Sequence, residues 1–292
     1  MSISRILTAM VTPFTEDLEV DYSEAVSLAS YLVENGSDGL VVAGTTGESP
    51  TLAAEEKLRL FRDIKKKCGD SVKVWGGTGS NDTRATVELS RAAEKTGIDG
   101  LLVVGPYYNK PSQEGLYQHF KAVAEASSLP IMLYNVPGRT GSNLLPATVS
   151  RLAEIDNIVA IKEASGNLDQ VTELMNQVGD KLLIYSGDDS LTLPMLSVGA
   201  SGVVSVASHL VGKSLQQMMQ SFFAGDVKKA AQIHQQLFPL FKGMFISSNP
   251  IPVKTCLQMM GKNVGGFRLP LSAPSQEEMQ FLKQLLKTYK LL

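Results

Sequence analysis

An α/β architecture, a closed (β/α)8 TIM barrel carrying a C-terminal helical appendage, is predicted by three features of the sequence. Eight short apolar runs alternate with helical patterns at a spacing of roughly 25 to 30 residues, the rhythm of βα units and a parallel sheet. Most of the runs are continuous in branched apolar residues, as strands covered on both faces require. After about residue 224 the rhythm stops, which divides the chain into a barrel over 1–224 and a helical unit over 225–292. Eight repeats suit a closed barrel better than an open, doubly wound sheet.

The first strand is read in Thr8–Phe14, closed by Pro13, whose ring removes a ladder donor. Asp21 and Glu24 form a capping-box pattern ahead of Ala25, Leu28, Ala29 and Leu32, which share one helical face, and Gly36 ends that helix. Gly39–Ala43 then runs into Gly44-Thr45-Thr46-Gly47-Glu48-Ser49, followed by a helix with Leu58 and Phe61 a turn apart. Val72–Trp75 leads into a glycine-rich turn, and Asp82 opens the next helix. The remaining strands are Gly100–Val104, Ile131–Tyr134, Ile158–Lys162, Leu182–Tyr185 and Gly202–Val206. Beyond them, 226–246 is helical by period, Pro250 and Pro252 interrupt the chain, and Ser275 with Glu278 caps a last helix. This tail is expected to pack on the barrel or on another copy.

With 292 residues and 43% apolar content the chain can bury a full core. Lys and Arg (27) nearly balance Asp and Glu (29), so no basic excess points to nucleic acid or to a membrane surface. A small-molecule partner is expected. Cys68 and Cys256 are the only cysteines and stand far apart, which argues for a reducing compartment and against a disulfide scaffold. No apolar run reaches membrane-spanning length, and a cytoplasmic location is expected.

The sixth strand, Ile158-Val159-Ala160-Ile161-Lys162, carries a conflict: a buried apolar run ends on a lysine. Desolvation disfavours an ammonium, so such a lysine is expected to have a lowered pKa and to present free amine, the nucleophile of Schiff-base chemistry. Taken alone, a lysine that reaches water or pairs with Glu163 is the stronger reading. The neighbours shift the balance. Barrel chemistry sits at the carboxyl ends of the strands, and there the sequence places Thr45 and Thr46, Tyr107 and Tyr108, Tyr134 and Arg139, and Asp188 with Asp189. Each has an ordinary explanation singly, as a tight turn, an interface aromatic or a surface charge. Together they complement one another. Backbone N–H groups and hydroxyls at Thr45-Thr46 suit a carboxylate, Tyr134 can move protons, and Arg139 can grip a second carboxylate. An amine, a carboxylate cradle and a proton relay suit an α-keto acid held as an iminium, converted to an enamine and added to an aldehyde.

Gly44-Thr45-Thr46-Gly47-Glu48-Ser49, Pro106–Pro111, Tyr134–Gly141, Ile161-Lys162-Glu163-Ala164 and Ser186-Gly187-Asp188-Asp189 closely resemble the dihydrodipicolinate synthase family, over nearly the whole chain. The resemblance implies condensation of pyruvate with L-aspartate 4-semialdehyde in the diaminopimelate route to lysine. It implies that Lys162 forms the imine, that Tyr134 relays protons with Thr45 and a neighbouring subunit's Tyr108, and that Thr46, Arg139 and Val204 contact substrate. No cofactor and no metal are implied, and the expected assembly is a homo-oligomer, a dimer or a dimer of dimers.

Sister pyruvate aldolases such as N-acetylneuraminate lyase share the lysine and tyrosine, but usually lack the Gly-Arg-Thr-Gly segment at Gly138–Gly141. A metal-dependent aldolase would need clustered ligands, and His119, His209 and His234 have no such spacing. A non-catalytic keto-acid-binding barrel is the remaining alternative. One departure from the family concerns feedback: Ala54, Lys57 and Ala85 stand where lysine-inhibited members of the family it resembles carry two histidines and a glutamate, although Ser49, Asn81 and Tyr107 match. Weak or absent inhibition by lysine is expected.

Overall fold

The computed structural model describes residues 4–292. Eight parallel strands close into a barrel in the order of the chain, each paired with its sequence neighbours and β8 with β1. This is the predicted TIM barrel. Its first half comprises β1 (Ile6–Ala9), α1 (Tyr22–Glu34), β2 (Gly39–Val42), α2 (Ala54–Cys68), β3 (Lys73–Gly77), α3 (Thr83–Glu94), β4 (Gly100–Val104) and α4 (Gln113–Ala126). The second half comprises β5 (Ile131–Asn135), the short α5 (Pro137–Thr140) and α6 (Pro146–Leu152), β6 (Ile158–Glu163), α7 (Leu168–Val178), β7 (Leu183–Ser186), α8 (Thr192–Ser197), β8 (Gly202–Ser205) and α9 (Ser208–Phe223). Three further helices follow: α10 (Val227–Gly243), α11 (Ile251–Met259) and α12 (Gln276–Thr288).

Local chemistry explains the helix starts. Asp21 accepts from the Glu24 N–H at the head of α1, and Asp82 accepts from the Arg84 and Ala85 N–H groups at the head of α3. Ser275 and Glu278 form a reciprocal capping box at α12. The strand read over Thr8–Phe14 is displaced: β1 covers Ile6–Ala9, because pairing with both β2 and β8 fixes its register. Phe14 leaves the barrel and bridges Val20 instead.

Side-chain alternation sorts the strands into two cores. Leu7, Val41, Leu102, Met132, Ala160, Tyr185 and Val204 fill the barrel interior together with Tyr134. The other face of each strand packs under the helices in a much larger apolar cluster. The barrel floor is closed by Tyr185, whose hydroxyl donates to the Ser4 carbonyl at 2.8 Å. The tail is docked on its own barrel, with α10 lying along α9 and α11 touching α9. Among the described residues no helix is long and apolar enough to cross a membrane, and both cysteines are free thiols.

Candidate active site

Lys162 is the fifth residue of β6, and alternation turns it inward with Ala160 while Ile161 and Glu163 face the helices. It is only 5% exposed, and its Nζ lies 4.2 Å from the centroid of the Tyr134 ring. The two residues are direct partners in the β5–β6 ladder. Pairing of Lys162 with Glu163 does not occur. The Glu163 carboxylate points the opposite way, accepting from Asn135 Nδ2 at 2.9 Å, Gln170 Nε2 at 3.2 Å and the Ser165 N–H at 2.6 Å. The Lys162 stem has room because position 187 carries no side chain: a Cβ there would stand 3.0 Å from Lys162 Cε and 2.7 Å from the Ala164 methyl.

Tyr134 of this pair lines a cavity of about 670 Å³, walled also by Thr45, Ser49, Tyr107 and Arg139, while Lys162 lies behind the tyrosine ring and off the cavity wall. The cavity continues between α2 and α3 to Lys57, whose amine is pushed down by burial, and to Glu88. Thr45 and Thr46 occupy the turn after β2, and among the described residues neither N–H is taken by an intramolecular acceptor. Two unspent donors in one tight turn make an anion-binding concavity. Thr46 is 2% exposed, and its hydroxyl accepts from Asn249 Nδ2 at 2.9 Å. Arg139 lies on α5 just past β5, exposed toward solvent at the cavity wall. Val204 is buried in the barrel interior, in the same apolar cluster as Tyr134. Tyr108 is the exception. It sits at φ 76°, in the left-handed region that a bulky residue adopts at a cost, and is 88% exposed, while Tyr107 faces the cavity.

The family model for the dihydrodipicolinate synthetase family matches residues 2–289. This chain belongs to that family. Within it, the chain is 60% identical over 291 residues to the 4-hydroxy-tetrahydrodipicolinate synthase of Heliobacterium modesticaldum, covering 100% of this chain and 97% of the relative. It is 59% identical over 292 residues to the synthase of Moorella thermoacetica, covering both chains fully. The crystal structure of dihydrodipicolinate synthase from Bacillus anthracis superposes with a TM-score of 0.96 at 48% identity, over 98% of each chain.

Inside this family fold a second lysine is buried even more completely than Lys162. Lys254 of α11 is 0% exposed, and burial lowers its pKa to about 8 against the opposing pull of Glu48. Its Nζ donates to Glu48 Oε1 at 2.9 Å and lies 4.1 Å over the Phe14 ring. What separates it from Lys162 is its partner: the Lys254 ammonium is committed to a buried carboxylate, and Lys162 has no carboxylate partner among the described residues. Sequence reasoning passed over it, although the signal was of the same kind: a lysine inside the apolar stretch Ile251-Pro252-Val253-Lys254. The histidines are scattered over α4, α9 and α10. His209 is fully enclosed, with Nδ1 bonded to the Val206 carbonyl at 2.8 Å and Nε2 accepting from the Val11 N–H at 3.2 Å. That pairing needs a neutral ring, and burial lowers its pKa to about 4.

Proposed function

We propose that this chain makes 4-hydroxy-tetrahydrodipicolinate by condensing pyruvate with L-aspartate 4-semialdehyde, a step toward diaminopimelate and lysine. In this reading the Lys162 amine adds to the pyruvate C2 carbonyl and loses water, leaving an iminium. The carboxylate rests on the Thr45 and Thr46 N–H groups and the Thr46 hydroxyl, with Val204 shaping the wall beside it. The iminium acidifies the C3 methyl. Tyr134, packed against the lysine, relays the departing proton with Thr45, and the resulting enamine carbon attacks the aldehyde. The new alkoxide takes a proton back through the same relay, the semialdehyde's own amine then adds to the iminium carbon and expels the Lys162 amine as the ring closes, and Arg139 at the mouth grips the semialdehyde's carboxylate.

The observation that carries this reading is a buried lysine set over a tyrosine ring at 4.2 Å, the tyrosine lining a cavity whose wall also carries Thr45 with its free backbone donor. Two further expectations rest on the same reading. The exposed Tyr108 is read as the contribution of one copy to the relay of another, so the working unit is a homo-oligomer, at least a dimer. Residues 225–292 are read as a helical unit that supports the catalytic barrel of 1–224, in a chain working in the cytoplasm. Borohydride reduction in the presence of pyruvate, followed by peptide mapping, tests the centre of the proposal. A reduced pyruvyl adduct on Lys162 is expected, and an adduct on another lysine, or none, overturns it.

A further inference from the structure

The Thr45-Thr46 turn is held from outside the barrel by the C-terminal segment. Glu48, three residues past Thr45, sits at φ 56° and is 2% exposed. Its two carboxylate oxygens are both engaged by that segment: Oε1 takes the Lys254 ammonium at 2.9 Å, and Oε2 takes the Arg268 N–H at 3.2 Å. Asn249, just ahead of α11, donates to the Thr46 hydroxyl at 2.9 Å. From the barrel side, Thr12 Oγ1 donates to the Gly47 carbonyl at 2.7 Å. The segment is pressed so closely on the chain beyond β1 that a Cβ at Gly265 would stand 1.9 Å from the Phe14 carbonyl oxygen, and Gly265 itself adopts φ 65°.

We propose that Asn249 and Lys254 are positioning residues for the carboxylate-binding turn, acting through Thr46 and Glu48 to set where its N–H groups point. The proposal rests on the reading that this turn holds the pyruvate carboxylate. A dry ion pair supplies stiffness. A buried carboxylate and ammonium tolerate little separation, since a charge moved off its partner stays desolvated without compensation. The turn therefore has one low-energy position, fixed at residues 46 and 48, on either side of Gly47. A residue in the left-handed region at 48 reinforces this, because the strain persists only where surrounding contacts over-determine the backbone. Neither Asn249 nor Lys254 faces the cavity, so their effect on substrate passes through the turn.

The test measures capture of pyruvate at Lys162 by borohydride across a pyruvate titration, on the full chain and on Asn249→Ala, Lys254→Met and the charge-neutral pair Lys254→Met/Glu48→Gln, with thermal unfolding measured in parallel. The expected result is a half-saturating pyruvate concentration raised about fivefold in Asn249→Ala and about tenfold or more in Lys254→Met, with complete labelling still reached at saturation. In the double variant the unfolding temperature is expected to recover relative to Lys254→Met while half-saturation stays high, a separation that a purely stabilising role does not produce. If Lys254→Met does not fold, Asn249→Ala decides, since it leaves the ion pair intact. Folded variants with half-saturation within twofold of the unaltered chain overturn the proposal alone. Absence of labelling in the unaltered chain overturns it together with the functional reading.

Discussion

The side-chain amide of Asn135 donates to Glu163 at 2.9 Å, across β5 and β6, one position beyond the facing pair Tyr134 and Lys162. Successive strand residues point to opposite faces, so this outward contact and the inward pair of Tyr134 and Lys162 share a single register. Asn143 and Gln170 extend the contact, exchanging hydrogen bonds with each other and with Asn135 and Glu163. Glu163→Gln keeps the shape but, either way round, sets its NH2 against at least one N–H from which the carboxylate accepts. The expected result is a loss of about 1–3 kcal/mol in urea unfolding, with turnover lowered about tenfold through misplacement of Tyr134. An unchanged urea midpoint would show that the network does not hold the register.

Removing the tyrosine hydroxyl separates binding from proton movement. Tyr134→Phe is expected to label with pyruvate and borohydride at Lys162, yet to turn over about 10²- to 10³-fold more slowly. Lys162→Ala is expected to take no label at all, Lys254 notwithstanding. Turnover of Tyr134→Phe within threefold of the unaltered chain would remove the phenol from the relay.

Arg139 is an exposed residue of the cavity wall, and in the proposed reading its loss is felt by the second substrate only. In Arg139→Ala the KM for L-aspartate 4-semialdehyde is expected to rise about 10- to 100-fold, with pyruvate labelling at Lys162 preserved. A matching loss of pyruvate labelling contradicts this division of labour.

Two enclosed histidines give the fold an acid limit. Burial lowers the pKa of both His209 and His119 to about 4, with Asp82 opposing the effect at His119, whereas an unfolded histidine titrates near 6.5. Below that value the unfolded chain takes up protons that the folded chain refuses, so stability is fully present above about pH 6.5 and declines toward pH 4. Between pH 7.5 and 5.5 the loss is expected to be roughly 1 kcal/mol per ring, read from urea midpoints. Equal midpoints at the two pH values would show that the rings titrate normally in the fold.

Feedback inhibition is the last expectation. Ala54, Lys57 and Ala85 line the arm of the cavity between α2 and α3, where a cation would meet the Lys57 amine. Activity is expected to persist in low-millimolar lysine, and half-inhibition in that range, measured at subsaturating pyruvate, would refute it.

Most of the barrel was legible because its strands are short apolar runs ended by turn residues, a pattern dictated by burial on both faces. Lys162, Thr45, Tyr134 and Arg139 were legible for the opposite reason: they break that pattern at the ends of strands. What stayed hidden depends on contacts distant in sequence. Nothing near Glu48 announces that its partner is Lys254, and Phe14 reads as strand until the pairing of β1 with β8 fixes the register. Tyr108 was singled out by resemblance, and its exposure explains why a single chain does not bring it to the cavity.

At Gly187 the turn after the seventh strand contributes by leaving something out. The space denied to a methyl group lies against the stem of the neighbouring amine, the one that on the proposed chemistry takes up the keto acid and later releases the product. A bulkier residue at that position would act as a wedge against the lysine's stem. Diversification of this pocket toward other aldehydes is therefore free to proceed at the rim, around Arg139, and closed at the root.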